Sequence, residues 1–247
     1  MTIAEHLRQL ADEGALLGEA AAKADPGAEV PTCPDWRVRD LLGHIGRVHR
    51  WATRTITEGA AQPAPFPAEP ELAGDALVEW YREGHEGLVT ALRTAPADLA
   101  CWTFFPTPDP LAFWARRQAH ETAVHRADAE SALGGGLSPV ETGFAADGID
   151  ELLRLFHGRD RSRLRSPEPR VLRVRATDTD DVWTVRISAD PAVTVRTTAA
   201  AEAPADGELS GPAGTLYLAL WNRLPLDTLT ATGDPELVRL WRETSGV

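Results

Sequence analysis

Lysine is almost missing from this chain: Lys23 stands alone among 25 basic residues, and the other 24 are arginine. Positive charge as a whole is short, 25 Lys and Arg against 37 Asp and Glu, which leaves a formal net charge of -12 and a pI near 5.0. Such a balance repels phosphate backbones and argues against a nucleic-acid partner. Cysteine is nearly absent too. Cys33 and Cys101 cannot frame a disulfide scaffold, so reduced thiols and a cytoplasmic location are expected. No run of about 18 apolar residues exists, so no membrane span is expected. The first residues, MTIAEHLRQLADEGALL, carry charge and no apolar core of a signal peptide, so none is expected. The arginine bias, beside abundant Ala, Gly and Pro, fits a GC-rich coding sequence better than a demand for guanidinium groups, since isolated surface arginines do little.

What is present reads as a globular protein of 247 residues, 43% hydrophobic and 25% charged. That length suits one large domain or two small ones. The first half has helical periodicity. Residues 2–24 are rich in Ala, Leu and Glu and meet no proline before Pro26. A second helix is expected after Cys33-Pro34-Asp35, with Asp35 as N-cap and Val38, Leu41, Ile45, Val48 and Ala52 on its apolar stripe. The proline-rich stretch Gly59–Pro70 can be neither helix nor inner strand. Helices over about 72–95 and 109–133 follow, the last stopped by Gly134-Gly135-Gly136. Four helices with one long crossover describe a four-helix bundle.

The second half differs. Residues 143–158 predict one more helix, and 171–177, 181–188 and 192–198 alternate apolar and polar residues as strands do. The turn at 178–181 makes the first two a hairpin. Helices are expected again over 211–223 and 234–243, Asp234 capping the latter. A boundary near 135–140 therefore divides an all-α domain, 1–137, from a smaller α+β domain, 138–247, with an antiparallel sheet.

The strongest chemical signal is HETAVHR, residues 120–126, inside the fourth helix. Glu121 and His125 are four apart and project from adjacent turns of one face. Leu111, Ala115, Gln118, Thr122 and Ala129 define the inward stripe; Glu121 and His125 border it, and His120 points outward. An inward-leaning carboxylate needs a partner. A plain Glu–His hydrogen bond would serve, and so would a borderline ion such as zinc. A third ligand would come from His44 or His49 on the second helix. His49 sits nearer the apolar stripe and His44 near its polar edge, and periodicity leaves the choice open. His6 and His85 are expected at the surface. Trp36 and Trp114 are expected to pack, as is Cys33. Arg126 and Asp128 fit either an ordinary helix-surface pair or groups that orient the ligands. The arginine-dense run from Arg159 to Arg175 reads as a solvated face or, less simply, as a lure for anions.

VPTCPDWRVRDLLGHIGRVHRW (30–51), followed by FWARRQAHETAVHRADAE (113–130), resembles the mycothiol-dependent maleylpyruvate isomerase family. LSGPAGTLYLALWNR (209–223) and TGDPELVRLW (232–241) are similar to that family's C-terminal module. The resemblance implies a DinB-like metal-binding bundle followed by a sterol-carrier-like α+β domain. It places the metal triad on His44, Glu121 and His125, which selects His44 over His49, and a catalytic arginine on Arg223. It further implies a divalent ion, zinc by its His₂Glu set, and mycothiol as thiol cosubstrate. The implied reaction is cis–trans isomerisation of maleylpyruvate or a related compound, with the cleft between domains as pocket. A mycothiol S-transferase and a non-catalytic small-molecule binding protein are the alternatives. The expected partners are a small substrate and a low-molecular-weight thiol, with the chain a monomer or homodimer.

Overall fold

The computed structural model describes residues 1–198 and 204–246. The chain divides into two compact units, Met1–Ser138 and Pro139–Val247.

The first unit is a four-helix bundle of α1 (Ile3–Lys23), α2 (Val38–Thr57), α3 (Asp75–Thr94) and α4 (Pro110–Ser131). α1 packs on both α3 and α4, and so does α2. Each helix start has a local cause. Thr2 and Glu5 form a reciprocal capping box on α1, and Asp109 accepts from the Ala112 amide with Pro110 in the first turn of α4. α2 does not start where the sequence suggests. Asp35 lies in a turn with φ of 75°, and Arg37, extended at φ -104° and ψ 163°, is the N-cap. The reason is a short hairpin over residues 28–38. Arg37 bridges Glu29, the Val30 amide donates to the Trp36 carbonyl, and the Val38 amide donates to Ala28. Those bonds hold the chain extended until Val38, where Asp40 accepts from the Arg37 amide.

Leu17, Leu41, Ile45, Leu77 and Tyr81 lie at the heart of the core. Gly14 lets α3 approach α1 closely: a Cβ there would lie 2.1 Å from His85 Nε2, which donates to the Leu10 carbonyl at 2.9 Å. His85 and His6 are therefore buried, not exposed as expected. The proline-rich connection between α2 and α3 lies against α2, held by Trp51 Nε1 on the Ala64 carbonyl and Arg47 Nε on the Pro67 carbonyl.

The second unit is α+β. It starts with α5 (Thr142–Glu151), which continues as a π-helical turn over Leu152–Phe156, so the expected single helix is broken in register. Strands β1 (Arg170–Ala176), β2 (Asp181–Ile187) and β3 (Val193–Thr198) follow. β4 (Gly207–Gly211) precedes α6 (Ala213–Leu220), and β5 (Thr230–Gly233) precedes α7 (Pro235–Thr244), capped by Asp234. The sheet order is β3-β2-β1-β4-β5, antiparallel throughout except for the β1–β4 pair. Trp183, Val174, Leu209, Leu216 and Leu220 are among its fully buried apolar groups. The arginines on β1 are paired: Arg173 and Arg175 reach Glu208 at 3.0 and 3.2 Å, and Arg170 meets Asp234. Each of these three β1 arginines faces a carboxylate, Arg173 and Arg175 sharing Glu208. No helix among the described residues is long and apolar enough to cross a membrane.

Candidate metal centre

α4 has almost no free face. From Arg117 to Glu130 only Glu121 keeps appreciable exposure; His120, expected to point outward, is fully buried with its ring edge-on to His6. Glu121 Oε1 faces two imidazoles, at 3.4 Å from His125 Nε2 and 3.7 Å from His44 Nε2. Ligand atoms of all three residues lie within 4.8 Å of one another. The other oxygen, Oε2, accepts from Arg117 at 3.1 Å, one turn earlier on the same helix. Arg117 therefore leaves Oε1 as the free donor atom of Glu121.

His125 is held from behind. Its Nδ1 lies 2.8 Å from Asp128 Oδ2, which also accepts from Cys33 Sγ at 3.4 Å, while Asp128 Oδ1 accepts from Thr32 Oγ1 at 2.6 Å. Trp36, from the same hairpin, lies 4.9 Å from the His44 ring and stacks on His125 at 5.9 Å between centroids. Trp36 packs as expected, but against the two histidines themselves.

These contacts set the charges. Burial opposes charge on His125, yet hydrogen bonds to Asp128 and Glu121 outweigh it and raise its pKa to about 9. Burial likewise opposes charge on Glu121, but the His125 and His44 imidazoles and the Arg117 guanidinium hold its carboxyl well below the usual range. These contacts favour the protonated form of His125 and the ionised form of Glu121.

His49, the alternative third ligand, is not with this group. It is fully buried, its Nε2 is 2.9 Å from Thr122 Oγ1, and its ring lies 5.6 Å from both Tyr81 and His85. Arg126 is no surface residue either. It is fully buried and pairs with Glu13 at 2.7 Å and Glu130 at 2.6 Å, bracing the end of α4. Arg223 belongs to the second unit, just after α6. Its amide donates to the Leu218 carbonyl at 2.7 Å and its guanidinium to the Trp221 carbonyl at 2.7 Å. The preceding Asn222 turns the chain at φ 63°. Sequence reasoning did not single out Arg117 or Thr32. Arg117 was within reach, because it stands four residues before Glu121; Thr32 carries no local signal.

The donor set suits zinc. Tetrahedral ligands at about 2.0–2.1 Å from an ion lie roughly 3.3–3.4 Å from one another, close to the separations of 3.4 and 3.7 Å about Glu121 Oε1. Three such donors leave one position open.

A helical bundle with a His₂Glu donor set, joined in one chain to an α+β unit with a five-stranded sheet, defines a two-domain class. Within that class the assignment is specific. The family model for the mycothiol maleylpyruvate isomerase N-terminal domain matches residues 7–130, and that for the MDMPI C-terminal domain matches residues 143–240. The chain belongs to the mycothiol maleylpyruvate isomerase family. Crystal structures of the mycothiol-dependent maleylpyruvate isomerase and of a histidine-to-alanine mutant of it have the same fold, with TM-scores of 0.65 and 0.66. Each is 14% identical, and each comparison covers 94% of this chain and 93% of the other. No curated protein matches the chain.

Proposed function

We propose that this protein is a metal- and mycothiol-dependent isomerase acting on maleylpyruvate or a related cis-unsaturated acid, with His44, Glu121 and His125 as the ligands of a divalent ion, zinc by the chemistry of the set. The observation that carries this reading is the convergence of His44 Nε2 and His125 Nε2 on Glu121 Oε1. Family membership and the likeness to the isomerase structures support it. An ion at this position supplies a positive charge that lowers the pKa of an incoming thiol, making the nucleophilic thiolate available near neutral pH.

The residues of the chain do the rest. Glu121 brings one negative charge, with Arg117 neutralising its second oxygen and fixing its rotamer. His44 and His125 add no charge as ligands, so the centre keeps a net positive charge when loaded. Trp36 packs its ring against the two imidazoles and restrains their orientation. Arg223, which the family resemblance singles out, is assigned the holding of a substrate carboxylate and of the enolate charge. The substrate's cis double bond becomes a single bond when sulfur adds, rotates, and returns as the trans double bond when the thiol leaves unchanged.

The test is turnover of maleylpyruvate with mycothiol, following both product and free thiol. Catalytic product formation with thiol conserved is the expected result. Thiol lost in proportion to product would identify an S-transferase, and no thiol-dependent turnover would remove the reading.

A further inference from the structure

Asp128 is fully buried, and every oxygen of its carboxylate is engaged. One oxygen faces the metal-site histidine; the same carboxylate reaches Thr32 and Cys33 on the 28–38 hairpin, some 95 residues away in sequence. We propose that Asp128 is a positioning residue that links the donor set to this hairpin, so that ion binding by His44, Glu121 and His125 and ordering of residues 28–38 favour one another. This role rests on the metal site of the proposed function.

Two steps carry the inference. First, an ionised carboxylate only accepts hydrogen bonds, so the 2.8 Å contact requires a proton on Nδ1 of His125. A neutral His125 then has its lone pair on Nε2, the nitrogen turned toward Glu121 Oε1. Asp128 thereby fixes both the tautomer and the ring orientation that an ion needs, as carboxylates behind metal-bound histidines do. Second, the bonds from Thr32 and Cys33 to the same carboxylate fasten the tip of the hairpin. The hairpin carries Trp36, whose ring lies on His44 and His125. Holding Asp128 in place therefore holds Trp36 over the ligands. Binding free energies are reciprocal: if the hairpin helps to orient His125 for the ion, the ion must help to order the hairpin.

The hairpin also lines a cavity of about 480 Å³ with Glu29, Pro34, Asp35, Trp36 and Arg37. Trp36 is shared between this cavity and the ligand cluster, so ion uptake would also firm up the cavity wall.

The experiment uses the full chain, stripped with chelator and titrated with zinc, alongside amide hydrogen exchange over residues 28–38 with and without zinc. Asp128→Asn keeps an acceptor oxygen but loses the charge; Asp128→Ala loses both; Thr32→Val removes the bond to Asp128 together with a 3.1 Å contact to the Ser131 hydroxyl. Zinc affinity is expected to fall by roughly 10–100-fold in Asp128→Ala and less in Asp128→Asn, as for other partners of metal-bound histidines. Thr32→Val is expected to lose a few-fold although Thr32 touches no ligand. In the wild type zinc should slow exchange in the hairpin, and in Asp128→Ala that slowing should shrink. Unchanged zinc affinity in both Asp128→Asn and Thr32→Val, or hairpin exchange indifferent to zinc in the wild type, overturns the proposal. A wild-type chain that takes up no zinc overturns the metal site itself and this role with it. A variant that only lowers the thermal stability of the metal-free protein, with zinc affinity intact, marks a structural residue and contradicts the inference.

Discussion

The same two helices carry two sets of polar groups, one at a partly exposed edge and one buried, that behave in opposite ways. At one edge, His44 on α2 meets Glu121 and His125 on α4, with Arg117 and Asp128 behind them. Further in, His49 of α2 meets Thr122 of α4 and the rings of Tyr81 and His85 from α3. Glu121 and Thr122 are neighbours in sequence, yet they face different chemistry. The inner set has no carboxylate hydrogen-bonded to its imidazoles: His49 has a hydroxyl and His85 a backbone carbonyl. Burial therefore drives the His49 pKa well down and the His85 pKa down, while the two carboxylates at the edge lift His125 to about 9. Burial alone makes a histidine a neutral core residue; a paired carboxylate makes it a holder of protons or ions.

The largest expected effect breaks the edge set. His125→Ala should lower zinc affinity by roughly a hundredfold or more, beyond what loss of an orienting partner costs, and thiol-dependent turnover should vanish with it; metal analysis and a mycothiol assay check both. His44→Ala should behave alike.

Next in size are opposite pH responses, read from chemical denaturation in chelator between pH 4 and 9.5. The folded-state pKa of His125 is raised, so its contribution is complete below the unfolded value near 6.5 and is lost as pH rises through about 9. His157, fully buried beside Ser162 and Trp241 in the second unit, has its pKa lowered to about 4, mainly by burial. Its contribution is complete above pH 6.5 and is lost as pH falls toward 4. Each amounts to about 3 kcal/mol. His125→Gln should flatten the alkaline loss, and His157→Gln the acid one.

A smaller effect probes the inner set. Gly14→Ala puts a Cβ against the His85 ring and should destabilise the bundle by about 1–3 kcal/mol, with zinc stoichiometry unchanged. Smallest is His49→Gln, which should cost about 1 kcal/mol through the Thr122 contact and leave zinc binding intact. Loss of zinc in His49→Gln would erase the distinction between the two sets.

Much of this was legible in the sequence, for local reasons. Long periodic segments and capping residues such as Asp109 and Asp234 announce α4 and α7 from within a few residues. The pair Glu121 and His125 is a matter of helical spacing alone. The misreadings share a non-local cause. β4, Gly-Glu-Leu-Ser-Gly, has weak strand propensity and exists because it pairs in parallel with β1 some 35 residues earlier. Arg126 looks like a surface residue until Glu13, 113 residues away, is brought to it. His120 reads as exposed only if α4 keeps a solvent face, which it does not. Helical periodicity rightly puts His49 nearer the core, where it meets Thr122, while the edge position of His44 leaves it facing Glu121. Only the family resemblance could turn that edge position into a ligand assignment.

The reading of the edge set turns on one ion held by His44, Glu121 and His125. The most direct test is anomalous X-ray scattering at the zinc edge from crystals of the zinc-loaded protein. One peak is expected about 2.0–2.2 Å from His44 Nε2, Glu121 Oε1 and His125 Nε2, with Asp128 still on His125 Nδ1. A peak beside His49 and His85, or none in a protein shown to be folded, would contradict it.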